Sequence, residues 1–455
     1  MINEKVSLKR NLAQLALPIF VETLLVTLMG GVDTFMLSQY SDNAVGAVGL
    51  VNQLVVFAFL VFQIINVGTS VLCSQYIGAG QRGRMVQVTG VAMVLNLVLG
   101  TAMSAFLYLA APWLLSIMGL RPELMQYGLP YMEIVGAFVF FQALHMTISA
   151  SLRADNKAFY PMIVVLIANV VNIIGNYGLI FGNFGLPALG VQGAAIATAF
   201  SRGTIMLMMF IILFTRHIHF KTFIRSFIPK KRGGDGVNLL LEVKNLLKIG
   251  LPSAGENMSY NAQQVVLAYF INQIGNNELT TYTYINNIVM FVYIFCICMA
   301  QAGAISIGHI VGEHKPKAAY ILGKFVMKVS LYVTFGLSLA SALAGKPIFG
   351  LLSDNTEIIS LGCTILFVNI GREFGRTINI YATNVLRATG DVNFPFYVGV
   401  IVQWTAGVLC GWLFSLVFNW GLVGMWLAFI LDENIRGIIF IWRWKSMKWA
   451  KKAFV

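Results

Sequence analysis

The sequence predicts an all-α integral membrane protein of twelve transmembrane helices in two pseudo-symmetric six-helix lobes. Three observations lead there. Of the 455 residues, 58% are hydrophobic and only 11% charged, less than half the share of charge that a soluble domain carries. The apolar residues fall in continuous blocks of about 20 residues or more, the length a helix needs to cross a bilayer. Finally, a set of residues recurs at a fixed spacing of 234.

The blocks must be helices, because backbone polar groups cannot be left unpaired in hydrocarbon. A β-barrel is excluded, since its strands alternate in hydrophobicity and these blocks do not. Spans are expected near 12–38, 44–73, 86–112, 128–151, 160–182, 189–215, 246–272, 281–311, 318–344, 357–386, 394–418 and 421–444. The first is too long for a signal peptide and lacks a small-residue cleavage site. The long basic interruption at Arg216–Lys244 contains Pro229-Lys230-Lys231-Arg232-Gly233-Gly234. It divides the chain into an N-lobe (1–215), a cytoplasmic linker (216–245) and a C-lobe (246–455) with a basic tail. His217 and His219 fall in this linker and are expected to be solvated.

The net charge of +13 does not indicate nucleic acid. Lys and Arg collect in the tails and in the loops of one side. Arg121 and Lys346 fall on the other side, and Arg202, Arg372, Arg376 and Arg436 lie deep within spans. That bias predicts cytoplasmic termini in a plasma (inner) membrane protein. The five cysteines all lie in apolar spans, so no disulfide framework is expected.

The repeat gives the internal organisation. Leu17-Pro18 matches Leu251-Pro252, Glu22 matches Glu256, and Leu152-Arg153-Ala154 matches Leu386-Arg387-Ala388, all at the same offset. The offset then slips by three, and Gly190-Val191-Gln192-Gly193 matches Gly421-Leu422-Val423-Gly424. Six spans per half make the repeats parallel, related by an axis along the membrane normal. Transporters built this way bind substrate between their halves and alternate its access.

Ionisable groups inside spans are functional candidates, because each costs on the order of 2.5–3.5 kcal/mol at the bilayer centre on the insertion scale. Span one holds Glu22 and Asp33. A buried carboxyl can load and release a proton as access alternates, and a carboxylate among other oxygens can instead hold sodium. Asn172 and Asn176 of span five are four apart, hence on one helix face. With Thr198 of span six they make a candidate polar pocket around Asp33. In the second half, Glu256, Arg372, Glu373, Arg376, Asp432 and Glu433 form, with Glu22 of the first, a candidate substrate-cavity lining or second charged site. Asp432 and Arg436 are spaced to pair along one helix. Arg372 and Arg376 need anionic partners, with Glu256, Glu373 and Glu433 available. A nucleotide-binding loop, a zinc-protease helix and a dinucleotide fingerprint are all missing from the sequence. It therefore predicts no enzyme and no cofactor, and a transport process that is driven by an ion gradient or is passive.

Four segments carry a family likeness: Gly31-Val32-Asp33-Thr34-Phe35-Met36 after Leu17-Pro18; Gln75-Tyr76-Ile77-Gly78-Ala79-Gly80; Leu179-Ile180-Phe181-Gly182 leading to Gly190-Val191-Gln192-Gly193 and Thr198; and Leu386-Arg387-Ala388-Thr389-Gly390-Asp391. Over essentially its whole length the chain resembles the multidrug and toxic compound extrusion (MATE) family, of bacterial type. The resemblance implies a MATE-like fold with a cavity between two lobes. It also implies a monomer that exports small organic cations across the lipid bilayer in exchange for protons or sodium. It places the coupling site at Asp33, Asn172 and Thr198. Where the family has a second Asp in span five, this chain has Asn176. Asn cannot titrate, which weakens sodium binding and tilts the reading to protons. An exporter or flippase of an anionic metabolite or lipid-linked substrate is the alternative, through Arg372 and Arg376. A membrane receptor or enzyme ranks below both.

Overall fold

The computed structural model describes residues 2–227 and 239–455, with side chains from 12–224 and from 239 onward. The segment Pro229-Lys230-Lys231-Arg232-Gly233-Gly234 lies outside the described residues. The chain divides into two compact units, Met1–Gly250 and Leu251–Val455.

The first unit is built from α1 (Ile2–Ser38), α2 (Asp42–Gly78), α3 (Arg82–Leu109), the short α4 (Ala111–Ile117), α5 (Pro122–Ala137), α6 (Phe140–Ala154), α7 (Phe159–Phe181), α8 (Val191–Ile212) and α9 (Phe220–Phe227). The helix α10 (Leu239–Ile274) starts in this unit and carries the chain onward. The second unit continues with α11 (Asn276–Gly312), α12 (Pro316–Leu343), α13 (Gly345–Leu352), α14 (Thr356–Ala388), α15 (Asn393–Val402), α16 (Cys410–Trp412) and α17 (Gly421–Lys445). Wide π-type turns at Gln403–Leu409 and Leu413–Val417 flank α16 and join it to α15 as one span.

Among the described residues, nine helices are long and apolar enough to cross a bilayer, and α5 with α6, bent by 45°, makes a tenth. The other two of the twelve are α10 and α17, with 36 and 25 residues. Their length suffices at about 1.5 Å per residue. What sets them apart is composition: α10 carries Glu242, Lys244, Lys248 and Glu256, and α17 carries Asp432, Glu433 and Arg436. Each charge is tolerated only where the protein itself supplies a partner.

The repeat is written into the backbone. Left-handed φ angles occur at Gly80 (72°) and His314 (57°), at Asn156 (58°) and Gly390 (92°), and at Gly190 (56°) and Gly421 (55°). Each pair is related by the sequence offset, so the two units turn at equivalent points. Gly193, at the start of α8, lies against the Leu179 carbonyl, where no Cβ fits. That close approach seats α8 on α7 and fixes the depth of Thr198.

Each unit has its own apolar core. Val51, Phe62, Val135, Ala143 and Ala195 belong to the first, and Leu267, Ile285, Phe349, Leu366 and Trp426 to the second. Dispersion packing of this kind, together with polar contacts, holds helices together where lipid gives no hydrophobic drive.

Candidate functional site

The α1 helix packs along α7, and α7 along α8. This brings three of the predicted coupling residues into one chain of contacts. Asn176 donates from Nδ2 to Asp33 Oδ1 at 2.5 Å and to Asn172 Oδ1 at 3.2 Å. Both asparagines are fully buried, and Thr198 is 3% exposed. One turn below, Asn169 Nδ2 donates to the Leu25 carbonyl at 2.8 Å and fixes α7 against α1. Asn172 Nδ2 and Asn176 Oδ1 are enclosed without a hydrogen-bond partner among the described residues. A buried polar atom left so is costly.

Sequence reasoning left three members out. Tyr131 of α5 is buried beside Thr198 and Asn52. Arg202, one turn after Thr198 on α8, lies close enough for its charge to act on Asp33 and Tyr131. Its guanidinium sits 5.5 Å from the Phe59 ring centroid. The i, i+4 spacing of Thr198 and Arg202 was the available signal.

The charges predicted for the second unit form a network. Arg376 pairs with Glu373 at 3.1 Å and reaches the Tyr260 hydroxyl at 3.3 Å. Arg436 holds Asp432 at 2.7 Å, as the spacing predicted, and Glu433 at 3.3 Å. Asn379 donates to Glu433 at 2.6 Å. Gln263 donates to Asp432 at 3.2 Å and to the Gln403 carbonyl, in the first wide turn, at 3.1 Å. Gly407 makes room for Gln263, since a Cβ there would collide with its amide. Three carboxylates thus share two guanidiniums.

Two expectations about partners are corrected. Arg372 takes none of the three acids. It is 2% exposed and lies 4.4 Å from the Phe429 ring and 5.8 Å from the Trp426 ring. Rings of this kind accept a guanidinium on their faces. Glu256 pairs instead with Arg387 at 2.7 Å. Its repeat mate Glu22 pairs with Arg153, the repeat mate of Arg387, at 2.5 Å. The two ion pairs are one repeated structural element, so Glu22 and Glu256 are neutralised where they stand.

A third correction concerns His217. Its side chain is fully enclosed rather than solvated, with Nδ1 3.1 Å from Asp155 Oδ2 and Nε2 3.0 Å from Ser151 Oγ. His219 is exposed. Asp155 also holds Lys157 at 2.6 Å and Arg82 at 3.4 Å. In the second unit Asp391 plays the same part for Arg443 and Lys452, each at 2.7 Å. The start of α10 is tied down likewise. Glu242, 3% exposed, accepts from Arg84 and from the Tyr76 hydroxyl, both at 3.0 Å.

Burial alone would push the Asp155 carboxyl up, but hydrogen bonds and charges from His217 and Lys157 outweigh it and hold it at about 2. A carboxylate held below its unfolded value, near 4, stabilises the fold above that value. The contribution is lost as pH falls through about 2. Asp155→Asn should therefore lower thermal stability at neutral pH. The gap to the wild type should narrow as the pH is taken below about 4. A pH series of thermal unfolding curves in detergent checks both.

Paired asparagines against a membrane carboxylate in one unit, a charged network in the other, and a parallel six-span repeat define a multi-pass membrane transporter rather than an enzyme. The chain belongs to the MatE family, whose sequence profile matches residues 18–178 and 252–413. It is 37% identical over 446 residues to the uncharacterized transporter YisQ of Bacillus subtilis, covering 97% of this chain and 95% of that one. It is 25% identical over 448 residues to a probable multidrug resistance protein NorM of Thermotoga maritima, covering 98% and 94%. Among solved structures it matches the Vibrio cholerae MATE transporter VcmN in its bent form, with a TM-score of 0.87 at 17% identity over 97% of each chain. It also matches an outward-facing MATE family multidrug resistance transporter, with a TM-score of 0.85 at 20% identity over 97% of each chain. These likenesses show the two-lobe, twelve-helix fold.

Proposed function

We propose that this chain is a proton-driven antiporter that exports organic cations by alternating access, with Asp33 as the coupling carboxylate. The observation that carries the reading is the Asn176–Asp33 hydrogen bond at 2.5 Å, with the uncharged side chains of Asn172 and Thr198 buried on α7 and α8. Asn172, Asn176 and Thr198 are polar supports that position the carboxyl and accommodate its change of charge. Proton rather than sodium coupling is supported by Asn176, which supplies no second negative charge. In the second lobe three buried carboxylates, Glu373, Asp432 and Glu433, are matched in number by three buried guanidiniums, Arg372, Arg376 and Arg436, so that network by itself selects neither sign of substrate. The basic loop ends face the cytoplasm of the plasma membrane, and the protein works as a monomer. The domain limits are an N-lobe at 1–215, a linker at 216–245 and a C-lobe at 246–455. Because α10 starts at Leu239, the end of that linker is already helical.

Arg372, buried without a carboxylate partner, favours the second reading, an anionic or lipid-linked substrate. Both are tested in proteoliposomes of the purified protein. An imposed proton gradient without sodium should drive uptake or release of a fluorescent organic cation. Flux of an anionic substrate alone would give the second reading its place.

A further inference from the structure

Arg202 follows Thr198 by one turn on α8. It is a guanidinium inside a membrane span, and its Nη1 is enclosed with no hydrogen-bond partner among the described residues. Thr198 and Arg202 stand one turn apart on α8 and face the same way. Thr198 abuts Tyr131, while the Arg202 head lies over Phe59. Two turns before Phe59 on α2 comes Asn52, also beside Tyr131. The groups around Asp33 are therefore Asn172 and Asn176 from α7, Thr198 and Arg202 from α8, Tyr131 from α5 and Asn52 from α2. Only Asp33 and Arg202 among them carry charge. Gly175 of α7 packs against Ala197 of α8, and Asn176, next to Gly175, holds Asp33, so the Thr198–Arg202 turn begins at the level of the carboxylate; no ion pair joins Arg202 to Asp33 among the described residues. At the offset that aligns Gly190 with Gly421, Arg202 corresponds to Glu433, so the repeat carries opposite charges at this position.

We infer that Arg202 sets the ion selectivity of the Asp33 site, excluding sodium by holding a fixed positive charge within it. The inference rests on the reading of Asp33 as the coupling carboxylate. With Asp33 ionised, the pocket is already neutral. A sodium ion would bring a full second positive charge and would have to be held by oxygen atoms alone. It would meet Coulomb repulsion in surroundings that screen poorly. A proton meets the same repulsion, but it forms a covalent O–H bond and leaves an uncharged acid, the form that a desolvated site favours. The guanidinium opposes both ions, but only the proton forms a bond strong enough to outweigh it, so the sodium affinity falls away first. Asn176 acts in the same sense, because it withholds the second carboxylate that would offset Arg202.

The test reads sodium binding rather than transport, so it does not depend on flux. Thermal stability of the purified protein in detergent is followed in sodium chloride against choline chloride at fixed ionic strength. Wild type and Arg202→Lys should show no sodium-specific stabilisation. Arg202→Gln should bind sodium about tenfold or more tightly, the size expected from removing a unit charge several ångströms away. The gain should vanish in the double variant Arg202→Gln with Asp33→Asn. If Arg202→Gln does not fold, Asn176→Asp adds a carboxylate without removing the arginine and should raise the sodium response likewise. Sodium stabilisation of the wild type, or no sodium response in either Arg202→Gln or Asn176→Asp, overturns the inference. Failure of the coupling assignment is seen separately, as proton-driven flux that persists in Asp33→Asn.

Discussion

Asp33→Asn should reduce proton-driven export to the level of liposomes without protein, while the variant should fold and insert at the wild-type level. The geometry separates these two effects. The substituted amide has nearly the same size, and its oxygen can still accept from Asn176 Nδ2, which now reaches Asp33 at 2.5 Å. The α1–α7 contact, held also by Asn169 and the Leu25 carbonyl, therefore survives. What disappears is the capacity to change charge. An antiporter must bind its ion in one access state and release it in the other, and a ligand shifts an equilibrium only by its differential affinity for the two states. An amide that binds no proton offers none. Flux measured beside protein level in the same membranes checks this. Unchanged export at normal protein level would remove Asp33 from the mechanism.

Arg436→Gln should have the largest effect on stability. Arg436 is enclosed with Asp432 and Glu433, and each of the three is no more than 3% exposed. Removing one partner of a buried ionic group costs about 3–5 kcal/mol, because the charges left behind are uncompensated. Here two carboxylates would remain together, 2.7 and 3.3 Å from the vacated position. One of them would have to take up a proton to persist in the lobe. Loss of folded protein, or a large fall in thermal stability in detergent, is the expected result. Adding Asp432→Asn and Glu433→Gln to Arg436→Gln should restore much of it, since an uncharged network costs less than a half-paired one. A triple variant no more stable than Arg436→Gln would mean that the network is held by shape rather than by charge.

Much of this was legible in the sequence, for physical reasons. Span positions follow from hydrophobic length, and the repeat predicts that what happens at Glu22 also happens at Glu256. Asn172 and Asn176 could be placed on one face by spacing alone, and so could Asp432 and Arg436. The remainder was hidden because it depends on which helices meet. Arg387 was visible only as part of a Leu-Arg-Ala motif, and its pairing with Glu256 spans 131 residues. Arg202 could be recognised as a buried charge, yet its nearness to Asp33 exists only once α8 lies beside α7 and α1. His217 was misplaced for the same reason. A histidine in a basic stretch looks solvated until Asp155 and Ser151 are folded over it.

The central claim, that Asp33 exchanges a proton for substrate, is tested most directly by proton release on binding. A lipophilic organic cation such as tetraphenylphosphonium is added to purified protein in weakly buffered detergent containing a pH-sensitive dye, without sodium. The wild type should release protons in saturable fashion, and Asp33→Asn should bind or ignore the cation with no release. Release of the same size from Asp33→Asn would contradict it and would move the coupling site to the carboxylates around Arg436.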